Sequence, residues 1–168
     1  MVNFNRLFAH LFFLPGTYKR AFPARVLQAI EAEIGTSETL HTGELRFAIE
    51  TDLSFTALWH GLSGRARALE AFSHLRVWDT EANSGVLIYV LLADRDIHIV
   101  ADRGIAAQVD QREWDQIAQT MQQAFGAGAY EQGALTGIRA ITALLARHFP
   151  PGGSNPDELS NRPVLLRR

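Results

Sequence analysis

Behind Pro23 the apolar residues Val26, Leu27, Ile30 and Ile34 recur at helical spacing, and the pattern predicts a helix that stops at Gly35. After Gly43 the period changes. Leu45, Phe47 and Ile49 alternate with Glu44, Arg46, Ala48 and Glu50, the pattern of a strand with one wetter face. From Ser54 to Leu75 the helical period returns, broken near Gly61 and Gly64, with Ala68, Leu69, Phe72 and Leu75 as the expected inward face. Gly85 then precedes an unbroken apolar run, Val86 to Ala93, too short to span a membrane and rich in β formers. Such runs belong to strands covered on both faces, so this one and Glu44 to Glu50 are expected to be parallel within a βαβ unit.

A two-residue turn at Asp94 and Arg95 would lead into a third strand, Asp96 to Ala101, running antiparallel to the second. Asp110 and Glu113 have capping-box spacing ahead of Trp114, Ile117, Met121 and Phe125. A Gly-rich break at Gly126 and Gly128 separates that helix from a last one, about Tyr130 to Phe149, on Leu135, Ile138, Ile141, Leu145 and Phe149. The expected architecture is one α/β domain with a small mixed sheet whose central strand is covered on both faces. Its organisation reads as an amphipathic N-terminal segment (1–22), one α/β domain (23–149) and an extended or disordered tail (150–168), because Pro, Gly, Ser and Asn open the tail without periodicity.

The N-terminal segment would place Phe4, Leu7, Leu11 and Leu14 on one helical stripe, with Phe8 and Phe12 beside it and Lys19 and Arg20 following. Two readings stand: the stripe packs on its own domain, or it lies on a membrane surface. The segment lacks both the basic start and the cleavage site of a signal peptide, so a cytoplasmic protein is expected. A net charge of −2 gives no field that would draw in a nucleic-acid backbone. The chain has no cysteine, which excludes disulfides, thiol nucleophiles and zinc-thiolate sites.

Familiar catalytic motifs are absent. Gly61-Leu62-Ser63-Gly64-Arg65 lacks the second glycine of a nucleophile elbow, and Gly126-Ala127-Gly128 follows a helix rather than a strand. The six histidines show no zinc-binding spacing. What remains is a set of polar residues around the hairpin. With Ala93 paired to Asp96, Gly85 falls opposite Gly104, which brings Asn83 near Asp102 and Arg103, with Asp79 a short loop away. Oxygen ligands from Asp79, Asn83 and Asp102 are what calcium or magnesium selects, and a bound ion could polarise a phosphoryl oxygen. The same residues also serve as turn formers and helix caps. A competing site lies at the carboxyl ends of the parallel strands, where Thr51, Asp52, Asp94 and Arg95 gather.

The segment Val77-Trp78-Asp79-Thr80-Glu81-Ala82-Asn83-Ser84-Gly85-Val86-Leu87-Ile88-Tyr89, with the Asp94-Arg95 hairpin and Ile99-Val100-Ala101-Asp102-Arg103-Gly104-Ile105, resembles the TPM domain family. The likeness covers roughly Ala24 to Phe149, and the Trp78-Asp79-Thr80 segment is similar to a cytoplasmic bacterial branch. It implies an α/β/α sandwich. Acid-phosphatase activity and calcium binding are ascribed to some members, while others resemble assembly or modulator proteins. Many members carry Asp-Asn-Gly before the buried strand and Gly-Tyr-Gly after the hairpin. Here Asn83-Ser84-Gly85 and Asp102-Arg103-Gly104 stand in their place. The swap either keeps a cation site through Asp102 or marks a branch without one, and Arg103 would weaken a cation while helping to hold a phosphate.

Two functions follow as expectations. The first is a non-catalytic accessory protein that binds a membrane-associated partner protein, with peripheral membrane contact through Phe4, Leu7, Phe8, Leu11 and Phe12. The second is a calcium- or magnesium-dependent phosphatase in which Asp79, Asn83 and Asp102 hold the ion and Asp102 and Arg103 are the catalytic candidates.

Overall fold

The structure, a computed structural model, describes residues 4–13, 16–152 and 158–166. Strands β1 (Glu44–Glu50), β2 (Gly85–Leu91), β3 (Asp96–Ala101) and β4 (Val164–Leu166) form one sheet in the order β3-β2-β1-β4. β1 runs parallel to β2 and to β4, whereas β2 and β3 are antiparallel. Alternation along the strands sorts their side chains onto two faces. Leu45, Phe47 and Ile49 of β1, with Val86, Ile88 and Val90 of β2, pack under α2 (Thr17–Ala21), α3 (Ala24–Ser37), α7 (Gln111–Gly126) and α8 (Tyr130–His148). Ala48, Leu87, Tyr89, Leu91 and Val100 pack under α1 (Phe4–Leu11), α4 (Phe55–Trp59) and α5 (Gly64–His74). The result is the three-layer α/β/α sandwich that the family resemblance implies, with a mixed sheet, and β2 is buried along its whole length.

Three local expectations change. α3 continues two residues beyond Gly35, because that glycine keeps helical backbone and the chain turns only after Ser37. On α5 Ala68 and Ala71 are buried and Phe72 and Leu75 pack half-buried against the same cluster, whereas Leu69 is exposed. Small residues let this helix lie close to the sheet. The largest change is at the C-terminus, where the tail expected to be extended or disordered contributes β4 to the sheet. Main-chain pairing of Ala48, Ile49 and Glu50 with Val164, Leu165 and Leu166 supplies hydrogen bonds that the β1 edge otherwise lacks. Residues 153–157 of that tail and Leu14 of the N-terminal stripe lie outside the described residues.

The hairpin is longer than a two-residue turn. Its last pair is Leu91 with Asp96, so Leu92 to Arg95 form the loop. Leu92 and Ala93 donate instead to the carbonyls of Glu50 and Thr51, at 3.0 and 2.9 Å. β1 thus draws these two residues away from β3. The register moves by two residues, which keeps every side chain on its expected face.

Candidate functional site

At the entrance edge of β2, Asp102 N–H donates to the Gly85 carbonyl at 2.8 Å and Gly104 N–H to the Asn83 carbonyl at 3.0 Å. Close approach here depends on missing side chains. A Cβ on Gly85 would sit 1.9 Å from the Val77 carbonyl oxygen, and one on Gly104 would sit 2.5 Å from that of Asn83. Asn83 occupies the left-handed region at φ 51°, and its side-chain oxygen accepts from Arg103 Nε at 3.0 Å. Asp102 caps the short helix α6 (Arg103–Ala106), its Oδ1 accepting from Arg103 N–H at 2.7 Å. Its other oxygen, Oδ2, is buried with no hydrogen-bond partner among the described residues, and so is the Ser84 hydroxyl.

Asn83, Asp102 and Arg103 therefore meet as the sequence suggests. Asp79 is held elsewhere: it is exposed and pairs with Arg76 at 2.5 Å, within the turn that follows α5. For a hard cation the cradle is incomplete. Arg76 engages one oxygen of the exposed Asp79 carboxylate, Arg103 engages the Asn83 oxygen, and Asp102 Oδ2 is buried without a hydrogen-bond partner among the described residues. Among the described residues, no three His, Cys, Asp or Glu side chains form a group that could hold a metal ion.

The carboxyl edge is built differently. Asp94 lies in the β2–β3 loop, and both of its oxygens are held by α1. Arg6 donates from Nε to Oδ1 and Oδ2 at 3.0 Å each and from a terminal nitrogen to Oδ2 at 2.8 Å. Its other terminal nitrogen reaches the Leu62 carbonyl at 2.7 Å. His10 is buried, with Nε2 2.8 Å from Asp94 Oδ1 and Nδ1 accepting from Leu53 N–H at 2.9 Å. Since Nδ1 accepts, the imidazole proton sits on Nε2 and points at the carboxylate. Burial raises the Asp94 pKa, but the hydrogen bonds from His10 and Arg6 outweigh it and hold the group at about 2. Sequence reasoning placed Asp94 here and missed both partners, because only the fold brings residue 6 next to residue 94.

Beneath this edge lies a buried polar triad. Glu50 accepts from the Tyr89 hydroxyl at 2.5 Å and from Arg67 Nε and its terminal nitrogen at 2.8 and 3.0 Å. Burial first, and then the bond to Glu50, push the Tyr89 phenol above its ordinary range. The Arg67 guanidinium is likewise raised, chiefly by its hydrogen bonds to Glu50. No acid, base or nucleophile is poised by this arrangement; it satisfies three polar groups under a helix. Around the hairpin tip a cavity of about 210 Å³ is lined by Arg95, Asp96, Gln122, Phe125 and Tyr130.

A family model for the TPM domain matches residues 18–144 of this chain. The chain belongs to the TPM domain family. The BA42 protein of the psychrophilic bacterium Bizionia argentinensis, known from an NMR structure, shares 30% sequence identity with it at a TM-score of 0.75. The likeness covers 85% of this chain and 94% of that one. No curated protein matches.

In this TPM domain the N-terminal helix is a further feature of the carboxyl edge. Leu7 and His10 face inward, whereas Phe4, Phe8, Leu11 and Phe12 face out, with Phe4, Phe8 and Phe12 exposed by 62, 56 and 73%. The Phe8 and Phe12 rings stack at 5.8 Å, and α1 packs beside α4, where exposed Phe55 and Trp59 stack at 5.7 Å. Packing on the domain and an outward apolar stripe, set against each other on sequence grounds, are both present on opposite sides of one helix. Among the described residues, no helix is long and apolar enough to cross a membrane.

Proposed function

We propose that this TPM domain is a non-catalytic accessory module that works at a membrane surface beside a membrane-associated partner protein. The observation that carries the reading is the solvent-facing aromatic set Phe4, Phe8 and Phe12 on a helix pinned from behind by Leu7, His10 and Arg6. Soluble domains seldom leave so many large apolar rings together in water without a surface to meet. A short amphipathic helix with phenylalanines outward and basic residues nearby, here Lys19 and Arg20, suits the interface between headgroups and acyl chains. The placement of α1 adds to this. It covers Asp94 at the edge where open α/β sheets usually take ligands, so the chain fills that position with its own helix.

Flotation with phospholipid vesicles, neutral and enriched in anionic lipid, tests the reading. The full chain is expected to float, and recovery is expected to fall several-fold for Phe8→Ser combined with Phe12→Ser. Equal recovery of the two proteins removes the membrane role.

The hydrolase reading draws on one atom, the buried and unpartnered Oδ2 of Asp102. Hydrolysis of an aryl phosphate, followed with calcium, magnesium or chelator and with Asp102→Asn, tests it. A rate indifferent to both changes removes it.

A further inference from the structure

The C-terminal strand is held in an unusual way. Among the described residues of the tail, Val164 to Leu166 pair with β1, and all three are half-buried. The approach to that strand is read mainly through its main chain. The Glu44 carboxylate accepts from the N–H groups of Glu158 and Leu159 at 3.3 and 3.1 Å. The Arg46 guanidinium donates to the carbonyls of Ser160 and Arg162. Both side chains belong to β1, the strand that the tail extends. A strand edge whose flanking charges grip amides and carbonyls is the architecture by which sheets accept an extended peptide.

A groove of about 720 Å³ runs along the tail, lined by Tyr18, Leu27, Glu31 and Arg46 opposite Arg162 and Leu165. Eight residues, 150–157, separate α8 and Phe149 from Glu158, and they include Pro150, Pro151 and Pro156. Extended, such a connector spans roughly 26–29 Å, enough to reach a neighbouring molecule. A short strand joined to its domain by a connector of that length is an element that identical chains can exchange.

We propose that the outer edge of β1 is a strand-acceptor surface, and that it takes the segment Glu158–Leu166 from a second copy of this chain in exchange for its own. The acceptor groups are the β1 main chain at Ala48 to Glu50 and the side chains of Glu44 and Arg46. Exchange replaces each contact by an identical one, so its equilibrium is set by concentration and by the connector rather than by new chemistry.

The absence of native cysteine makes a clean test available. Ala48 and Val164 are register partners, and Ala48 is fully buried. Full-length Ala48→Cys is mixed with full-length Val164→Cys, incubated over a range of concentrations and oxidised. Exchange is expected to give a disulfide-linked heterodimer of twice the chain mass that grows with concentration and vanishes on reduction. Monomer throughout, or the same yield of linked species from Val164→Cys alone, overturns the proposal. A second measurement does not depend on Ala48→Cys folding. A fluorescent peptide with the sequence of residues 158–168 is titrated into the full chain carrying Leu165→Asp, which weakens the resident strand. Capture several-fold above wild type is expected; equal capture, or none by either protein, overturns the inference.

Discussion

His10 Nε2 lies 2.8 Å from Asp94 Oδ1, across 84 positions of sequence, and the same carboxylate takes a fork of hydrogen bonds from Arg6. This contact fixes α1 to the loop between β2 and β3. Replacing Asp94 by Asn keeps the shape but removes the charge, leaving the largely buried Arg6 guanidinium without its counter-ion. The expected cost is about 1–3 kcal/mol, read by chemical denaturation, together with faster proteolysis within α1.

Acid should act through the same carboxylate. Its folded pKa of about 2 lies below the ordinary value of 3.8, so ionised Asp94 favours the folded state. That contribution, on the order of 2 kcal/mol, is complete above pH 4 and is lost as the pH falls from about 4 to about 2. Melting curves across that range should show wild type losing stability that Asp94→Asn has already lost. Parallel decline of the two proteins would show that other carboxylates govern the acid response.

The Glu50 triad makes an asymmetric prediction. Tyr89→Phe removes one donor while Arg67 still holds the carboxylate, so a loss of about 1 kcal/mol is expected. Glu50→Ala strands a buried phenol and a guanidinium together and is expected to cost about 3–5 kcal/mol. A cycle with Tyr89→Phe and Glu50→Ala should show coupling, since the tyrosine hydroxyl has little value once its acceptor is gone. Additive losses would mean that the hydroxyl and the carboxylate act independently.

Glycines on this chain divide by what surrounds them. Gly85→Ala drives a methyl carbon to within 1.9 Å of backbone oxygen at Val77, where nothing can swing aside. It is expected to cost 3 kcal/mol or more, about the upper end for overpacking, and to reduce soluble yield. Gly126→Ala, at the end of α7, meets nothing within 4 Å and is expected to stabilise by about 0.4–1 kcal/mol. Melting temperatures moving in opposite directions check the pair.

Much of this was legible from periodicity. The unbroken apolar run of β2 and the alternation in β1 and β3 specify a covered central strand with partners, and the helical stripes of α3, α7 and α8 assign one whole layer. What sequence could not carry was choice between local and distant pairing. A tight turn at Asp94 and Arg95 is sound local chemistry, but β1 competes for Leu92 and Ala93 and wins, because its carbonyls at Glu50 and Thr51 need donors. The three apolar residues Val164 to Leu166 are too few to show a period, although an apolar triplet after Pro163 was the available signal for β4. At the candidate site, Asn83, Asp102 and Arg103 were placed together correctly because the register error was even. Asp79 is engaged by Arg76, a sequence neighbour that the cation hypothesis left out of account.

The two faces of α1 should separate stability from docking. Leu7 is buried in the cluster beneath α4 and α5, so Leu7→Ala opens a void and is expected to cost about 2 kcal/mol, the low end for a buried leucine since the helix is peripheral. Phe8 and Phe12 touch mainly each other and water, and replacing both by serine is expected to change stability by less than about 0.5 kcal/mol each. Vesicle recovery should rank the proteins the other way round: the serine variant, as stable as wild type, fails to float, while Leu7→Ala still floats at temperatures where it is folded. Denaturation and flotation on the same samples check this. Should the serine variant instead unfold readily while keeping its affinity for vesicles, those phenylalanines would be packing residues of the domain, and the outward face would have no docking role.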